Sequence, residues 1–160
     1  MKRILFSLLL AAAGISASAM NARDAREYAY FLTDKMAYEL NLTPLQYERV
    51  YEVNLDYFLA INSPYNIDRY QEYRDDDLRC ILSERQWDYI NANYFYRPLS
   101  WGRGSWVFNI YNRYSYRNNY YFGRPSCYDS YEGSNWALRL TSARSPYWGI
   151  SFDFRFGGMR

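Results

Sequence analysis

Forty residues apart, the chain repeats one short device, Leu42-Thr43-Pro44-Leu45-Gln46 and then Leu82-Ser83-Glu84-Arg85-Gln86. Each copy sets an apolar end-of-helix residue before a hydroxyl side chain and follows it with a new helical run. The Thr43 or Ser83 oxygen can accept from the orphan N–H groups of the new first turn. Pro44 suits the first helical position, where its missing N–H costs nothing. Gln46 and Gln86 stand three residues after their caps, where each can reach back as a capping-box partner. The chain is therefore told twice to stop one helix and start another at once, which commits this stretch to antiparallel neighbours.

Apolar periodicity fills in the helices. Ala25, Tyr28, Leu32, Met36 and Leu40 recur at three- and four-residue steps, and so do Gln46, Val50, Val53, Tyr57 and Ile61. Asn62-Ser63-Pro64 stops the second run, because the residue before proline is pushed out of the α region. A third helix is predicted over about 68–82, with Tyr70, Tyr73, Asp77, Leu78, Ile81 and Leu82 on its inner side, and a fourth from the Ser83 cap to just before Pro98. No helix reads as apolar all round, and the stripes carry tyrosine more than leucine. Buried tyrosines keep a polar tip that needs a partner, so a thin, wet, antiparallel assembly is expected.

The paired signature resembles the LTxxQ motifs of the Spy/CpxP-type periplasmic stress proteins, with Leu42, Thr43 and Gln46 matching fully and Leu82, Ser83 and Gln86 carrying serine for threonine. The resemblance covers about residues 22–97. It implies a helical hairpin that dimerises into a cradle and holds unfolded envelope proteins without ATP. The six motif residues are expected to act as structural caps.

From about residue 98 the period changes. Residues 97–160 hold eight tyrosines, four tryptophans and five phenylalanines among nine arginines. Trp106–Tyr111, Asn119–Phe122, Trp136–Leu140 and Ile150–Phe156 have strand-like content or alternation, with glycine and proline between them. The expected fold class is thus mainly α: a hairpin or bundle of about four helices, then an aromatic-rich segment with a few short antiparallel strands. Trp101, Trp106, Tyr111, Tyr121, Trp136 and Trp148 are the candidate binding surface, since aromatic and arginine side chains dominate recognition sites. The competing expectation is that these rings pack on the helices.

The two parts differ in charge. Residues 21–96 set fourteen acidic against eight basic side chains, a net of −6, and residues 97–160 set nine arginines against three acids, a net of +6. Such a chain should fold back on itself or pair head to tail with another copy. Near-neutrality also argues against nucleic acid as a partner. Asp75-Asp76-Asp77 does not make a cation site, because consecutive helical residues point 100° apart.

Residues 1–19 read as a signal peptide: Lys2 and Arg3, the apolar run Ile4–Ala13, then Ala17-Ser18-Ala19 as the cleavage site. That run is short for a membrane span of about 20 residues, and no other follows. The expectation is a periplasmic or secreted chain organised as 1–19, an acidic helical part 20–97 and a basic aromatic part 98–160. In that compartment Cys80 and Cys127 can form a disulfide tying the two parts together. The absence of histidine removes Ser-His-Asp and Cys-His triads and every His-containing zinc or haem site. With no nucleophile–base pair or cofactor loop in view, the chain reads as non-enzymatic, without cofactor or metal.

Overall fold

The computed structural model describes residues 20–114, 119–133, 135–136 and 144–150. Four helices come first, α1 Ala22–Leu40, α2 Pro44–Ala60, α3 Ile67–Ile81 and α4 Glu84–Asn91, followed by a hairpin of β1 Leu99–Gly102 and β2 Ser105–Phe108. A mainly helical chain with a small antiparallel sheet is what the sequence predicts.

Each helix boundary has a local cause. Asn21 caps α1 by accepting from the Asp24 N–H at 2.9 Å, and Asn41 ends it in the left-handed region at φ 50°. Thr43 and Ser83 both form complete capping boxes with Gln46 and Gln86. Ser63 caps a short 3-10 turn, Pro64–Asn66, which runs straight into α3. Helix α4 is shorter than the predicted run to Pro98. The Asn93 side chain accepts its neighbour Tyr94 N–H at 2.7 Å, a local bond that competes with helix continuation. The following turn delivers the Phe95 and Tyr96 carbonyls to the buried Arg74 guanidinium, at 3.0 and 3.3 Å.

Three-residue connection Asn41–Thr43 folds α2 back on α1, and α3 packs on α2's other side. The expectation of single apolar stripes fails for the first two helices. Every residue of Tyr30–Ala37 and of Val50–Phe58 is buried, so the middles of α1 and α2 are covered on all sides. The cover comes from the C-terminal part: Phe108, Ile110, Tyr128, Trp136 and Tyr147 belong to the same core as Tyr47, Tyr51, Val53 and Phe58. The core is therefore neither thin nor wet. Burying a ring such as Phe58 contributes about 1.5–3 kcal/mol, and burial of this kind unites the helical part and its C-terminal extension.

The sheet is smaller than expected. Its register pairs Leu99 with Phe108 and Trp101 with Trp106, across a turn whose central residues Arg103 and Gly104 have φ of 52° and 77°. Two positive φ values match the right-handed strand twist. The strand foreseen over Trp106–Tyr111 stops at Phe108, and Asn109–Asn112 form a 3-10 turn. Asn119–Phe122 is irregular and pairs with helix side chains instead of a neighbouring strand. Of the other two foreseen strands, residues 137–140 and 151–156 lie outside the described residues, as does the signal-peptide segment 1–19. Among the described residues no helix is long and apolar enough to cross a membrane. The Cys80–Cys127 bridge is a correction: both are free thiols. Cys127 is instead seated on α2, its N–H donated to the Glu48 carboxylate at 3.1 Å, and burial pushes its thiol pKa up to about 12.

Candidate functional site

The two repeated signatures meet. Gln46 Nε2 donates to Gln86 Oε1 at 2.9 Å, and Gln86 Nε2 returns a bond to Gln46 Oε1 at 3.2 Å. Each oxygen also accepts its own cap N–H, Thr43 at 3.0 Å and Ser83 at 2.9 Å. Each amide also closes the far helix: Gln46 Nε2 binds the Ile81 carbonyl at 2.9 Å and Gln86 Nε2 the Leu40 carbonyl at 3.1 Å. Leu42 and Leu82 are buried beside them. The six motif residues thus form one cross-braced joint between two helix–helix corners, a structural role.

The outer face of α1 and α2 carries the second arrangement, a groove that grips a main chain. Asp34 accepts the N–H groups of Tyr121 and Phe122 at 3.0 and 2.8 Å. Glu48 accepts those of Ser126 and Cys127 at 2.7 and 3.1 Å. Between and beyond them, hydroxyls donate to carbonyls: Tyr30 to Phe122 at 2.8 Å, Tyr47 to Gly123 at 2.9 Å and Tyr51 to Tyr128 at 3.3 Å. Lys35, paired with Asp34 at 2.7 Å, donates to the Asn119 carbonyl. Eight main-chain groups between residues 119 and 128 are therefore met by side chains of two helices. Aromatic faces supply the apolar part: Tyr30 stacks on Tyr120 at 4.1 Å and Tyr38 on Tyr121 at 3.8 Å. The Lys35 ammonium sits 4.6 Å from the Phe31 and Tyr121 ring centres, a cation–π contact inside the groove.

Burial and hydrogen bonding pull the carboxylates in opposite directions. Burial alone would raise Glu48, but the Ser126 and Cys127 donors outweigh it and hold its pKa below the usual range. Glu39 behaves likewise: burial opposes, while hydroxyls of Tyr114, Tyr89 and Tyr94 converge on it and lower it. Deeper along α2, burial dominates. Asp56, bonded by the Tyr131 hydroxyl at 2.5 Å, is pushed up to about 8 by burial, with Asp77 and Glu52 adding to the rise.

The predicted binding surface is not one surface. Trp101 and Trp106 face each other across the hairpin, ring centres 4.7 Å apart. Tyr111 packs on Phe31 and Phe108, Tyr121 lies in the groove against Tyr38, and Trp136 is buried with its indole N–H on Asp77 at 2.7 Å. Trp148 is 61% exposed and stacked by Arg144. The residues sequence reasoning missed are Tyr30, Asp34, Lys35, Tyr47, Glu48 and Tyr51. Their signal was present: between Tyr28 and Tyr38, Thr33, Asp34 and Lys35 are the only polar residues apart from tyrosine hydroxyls, which marks a helix buried all round. Of the aspartate run, Asp76 is exposed, Asp75 half-buried and Asp77 buried, three directions as geometry requires. Among the described residues no group of three cysteine or carboxylate side chains is placed to hold a metal ion.

No protein-family profile matches the chain, no curated protein matches it significantly, and no solved structure does so either.

Proposed function

We propose that the chain is a non-enzymatic, ATP-independent holder of unfolded proteins in the cell envelope. The observation that supports this is the main-chain groove on α1 and α2. Asp34 and Glu48 take N–H groups, and Tyr30, Tyr47, Tyr51 and Lys35 give to carbonyls. Those contacts read the peptide backbone, which every unfolded client offers, and leave side-chain identity to tolerant aromatic stacking. In the folded chain residues 119–128 occupy the groove, and a client would compete with them. The resemblance to LTxxQ stress proteins supports the same class, and the signal-like residues 1–19 support an exported location.

The test is aggregation of a chemically denatured client, followed by light scattering with the full chain at near-stoichiometric ratio. Suppression is expected, and a synthetic peptide of residues 119–131 should weaken it by competing for the groove. Unimpeded aggregation would sink the reading.

A second reading, an envelope protein that binds a glycan or partner through aromatic groups, has its own support. Two clefts of about 250 and 270 Å³ flank Tyr28, one reaching Phe31, Tyr111 and Tyr120, the other Trp106 and Phe108. Aromatic walls with Arg23, Asp24 and Glu27 at the rim suit sugar stacking. Binding on a glycan array with no aggregation suppression would favour this reading.

A further inference from the structure

Away from the groove, a cavity of about 200 Å³ opens between α2 and α3, lined by Asp56, Leu59, Ala60, Tyr70, Tyr73, Gly133 and Trp136. Three of its walls are rings. Tyr70 lies parallel to Trp136 with centres 5.6 Å apart, and Tyr73 stands edge-on to both, at 78° and 88°. Together they make a corner.

A carboxylate faces that corner. Asp56 is 2% exposed, and its Oδ2 accepts from Tyr131, yet among the described residues its Oδ1 has no hydrogen-bond partner. An unmet buried carboxylate oxygen is costly. The backbone is shaped around it: Gly133 has φ 82°, and a Cβ there would stand 3.4 Å from Asp56 Oδ1 and 2.5 Å from Leu59 Cδ1. Only glycine leaves the space open.

We propose that this corner binds a small quaternary or alkylated ammonium ion, seated on the Tyr70, Tyr73 and Trp136 rings with its charge toward Asp56. Such an ion offers an apolar shell to the rings and a diffuse positive charge to the carboxylate, and aromatic corners recognise it through the ring quadrupole. It needs no hydrogen bond, so an unpartnered oxygen suffices. The chain shows the same affinity twice. The exposed Arg69 guanidinium lies 5.9 and 5.7 Å from the Tyr70 and Tyr73 ring centres, and Lys35 sits among rings in the groove. The groups that face Asp56 are Glu52 on its own helix, Asp77 on α3 and Tyr131 from the C-terminal part, with Tyr147 close behind on Glu52. The two carboxylates make the potential negative, which favours a cation. Burial keeps Asp56 protonated at neutral pH, so the bound cation displaces that proton to solvent and binding tightens as pH approaches about 8. This site does not depend on the client-holding reading.

The experiment is a titration of the full chain with choline, read by tryptophan fluorescence and by calorimetry in two buffers of different ionisation heat. The control is the neutral isostere in which a tert-butyl group replaces trimethylammonium. Saturable binding of choline, proton release, and binding of the isostere at least about tenfold weaker are expected. Asp56→Asn should weaken choline by a similar factor. Ala60→Leu, which fills the cavity and leaves the carboxylate in the sequence, should abolish binding in a chain that melts normally. Equal binding of choline and isostere would make this an apolar cavity only and overturn the proposal, as would absence of saturable binding. A phosphatidylcholine vesicle arm separates the sources: response to vesicles with none to choline would place the affinity in the lipid surface and also overturn it.

Discussion

Gln46 and Gln86 explain why the repeated signature ends in glutamine. A capping box needs only an acceptor at this position, and glutamate serves as well. Here each side chain must also donate, to the Ile81 or Leu40 carbonyl and to its counterpart. Gln46→Glu removes both donors and sets a carboxylate against the Gln86 oxygen. A loss of about 2–3 kcal/mol is expected in urea unfolding, against ~1 kcal/mol for Thr43→Ala. Gln46→Ala and Gln86→Ala should be non-additive, and additive losses would show that the joint is two independent caps. At Asp56 the sign of a pH effect follows from burial. Its folded pKa, about 8, lies above the ordinary 3.8, so the folded chain keeps a proton that the unfolded chain releases. Stability from this group is complete below about pH 4 and is lost as pH rises through 8, a slope on the order of a few kcal/mol in all. Asp56→Asn should flatten thermal melts across that window. An unchanged slope would mean that Asp56 is ionised in the folded state.

Among the elements, the stretch 119–128 is the one whose form is set least by its own residues. The rings of Asn119–Phe122 read as a strand, yet among the described residues that run has no strand partner, because Asp34 and Glu48 take N–H groups of the stretch that a sheet would have paired. Asp34→Ala should therefore free the Tyr121 and Phe122 amides, speeding their hydrogen exchange by about tenfold or more, since each charge-assisted bond is worth ~1.5–3 kcal/mol. Unchanged exchange would show that ring stacking alone holds the segment. The same contrast explains what was legible. Thr43, Pro44, Ser63 and Ser83 act within one helical turn, so the first three helices could be drawn from sequence nearly to the residue. The Gln46–Gln86 joint, the Arg74 bonds to Asn54 and Phe95, and the groove join residues 20 to 92 positions apart. No local pattern carries those pairings. The free Cys127 shows the limit from the other side: compartment chemistry suggested a bridge, while packing on Glu48 decided its place.

For the whole molecule, opposite charge in the two parts invites the idea that arginines clamp the C-terminal part onto the helices. The chain does fold back, by other means. Among the described residues the ion pairs across the fold are two and exposed, Arg124–Glu27 at 3.3 Å and Arg97–Asp68 at 3.2 Å. The helix carboxylates are met instead by neutral donors: Tyr128 on Glu27, Tyr114 on Glu39, Tyr147 on Glu52, Tyr131 on Asp56 and Trp136 on Asp77. Salt distinguishes the two schemes. Exposed ion pairs are worth about 0–1 kcal/mol and are screened within roughly 3 Å at about 1 M ionic strength, whereas buried hydroxyl–carboxylate bonds are barely screened. Acid acts on the second scheme, because Glu39 and Glu48 are held below the usual range, so their stability is present above the unfolded value of 4.5 and is lost as pH falls through the folded one. The near-ultraviolet circular dichroism of the tyrosine and tryptophan rings should thus survive about 1 M sodium chloride at neutral pH. It should collapse in strong acid at low salt. Loss of the ring signal in neutral high salt would return the arginines to the leading role.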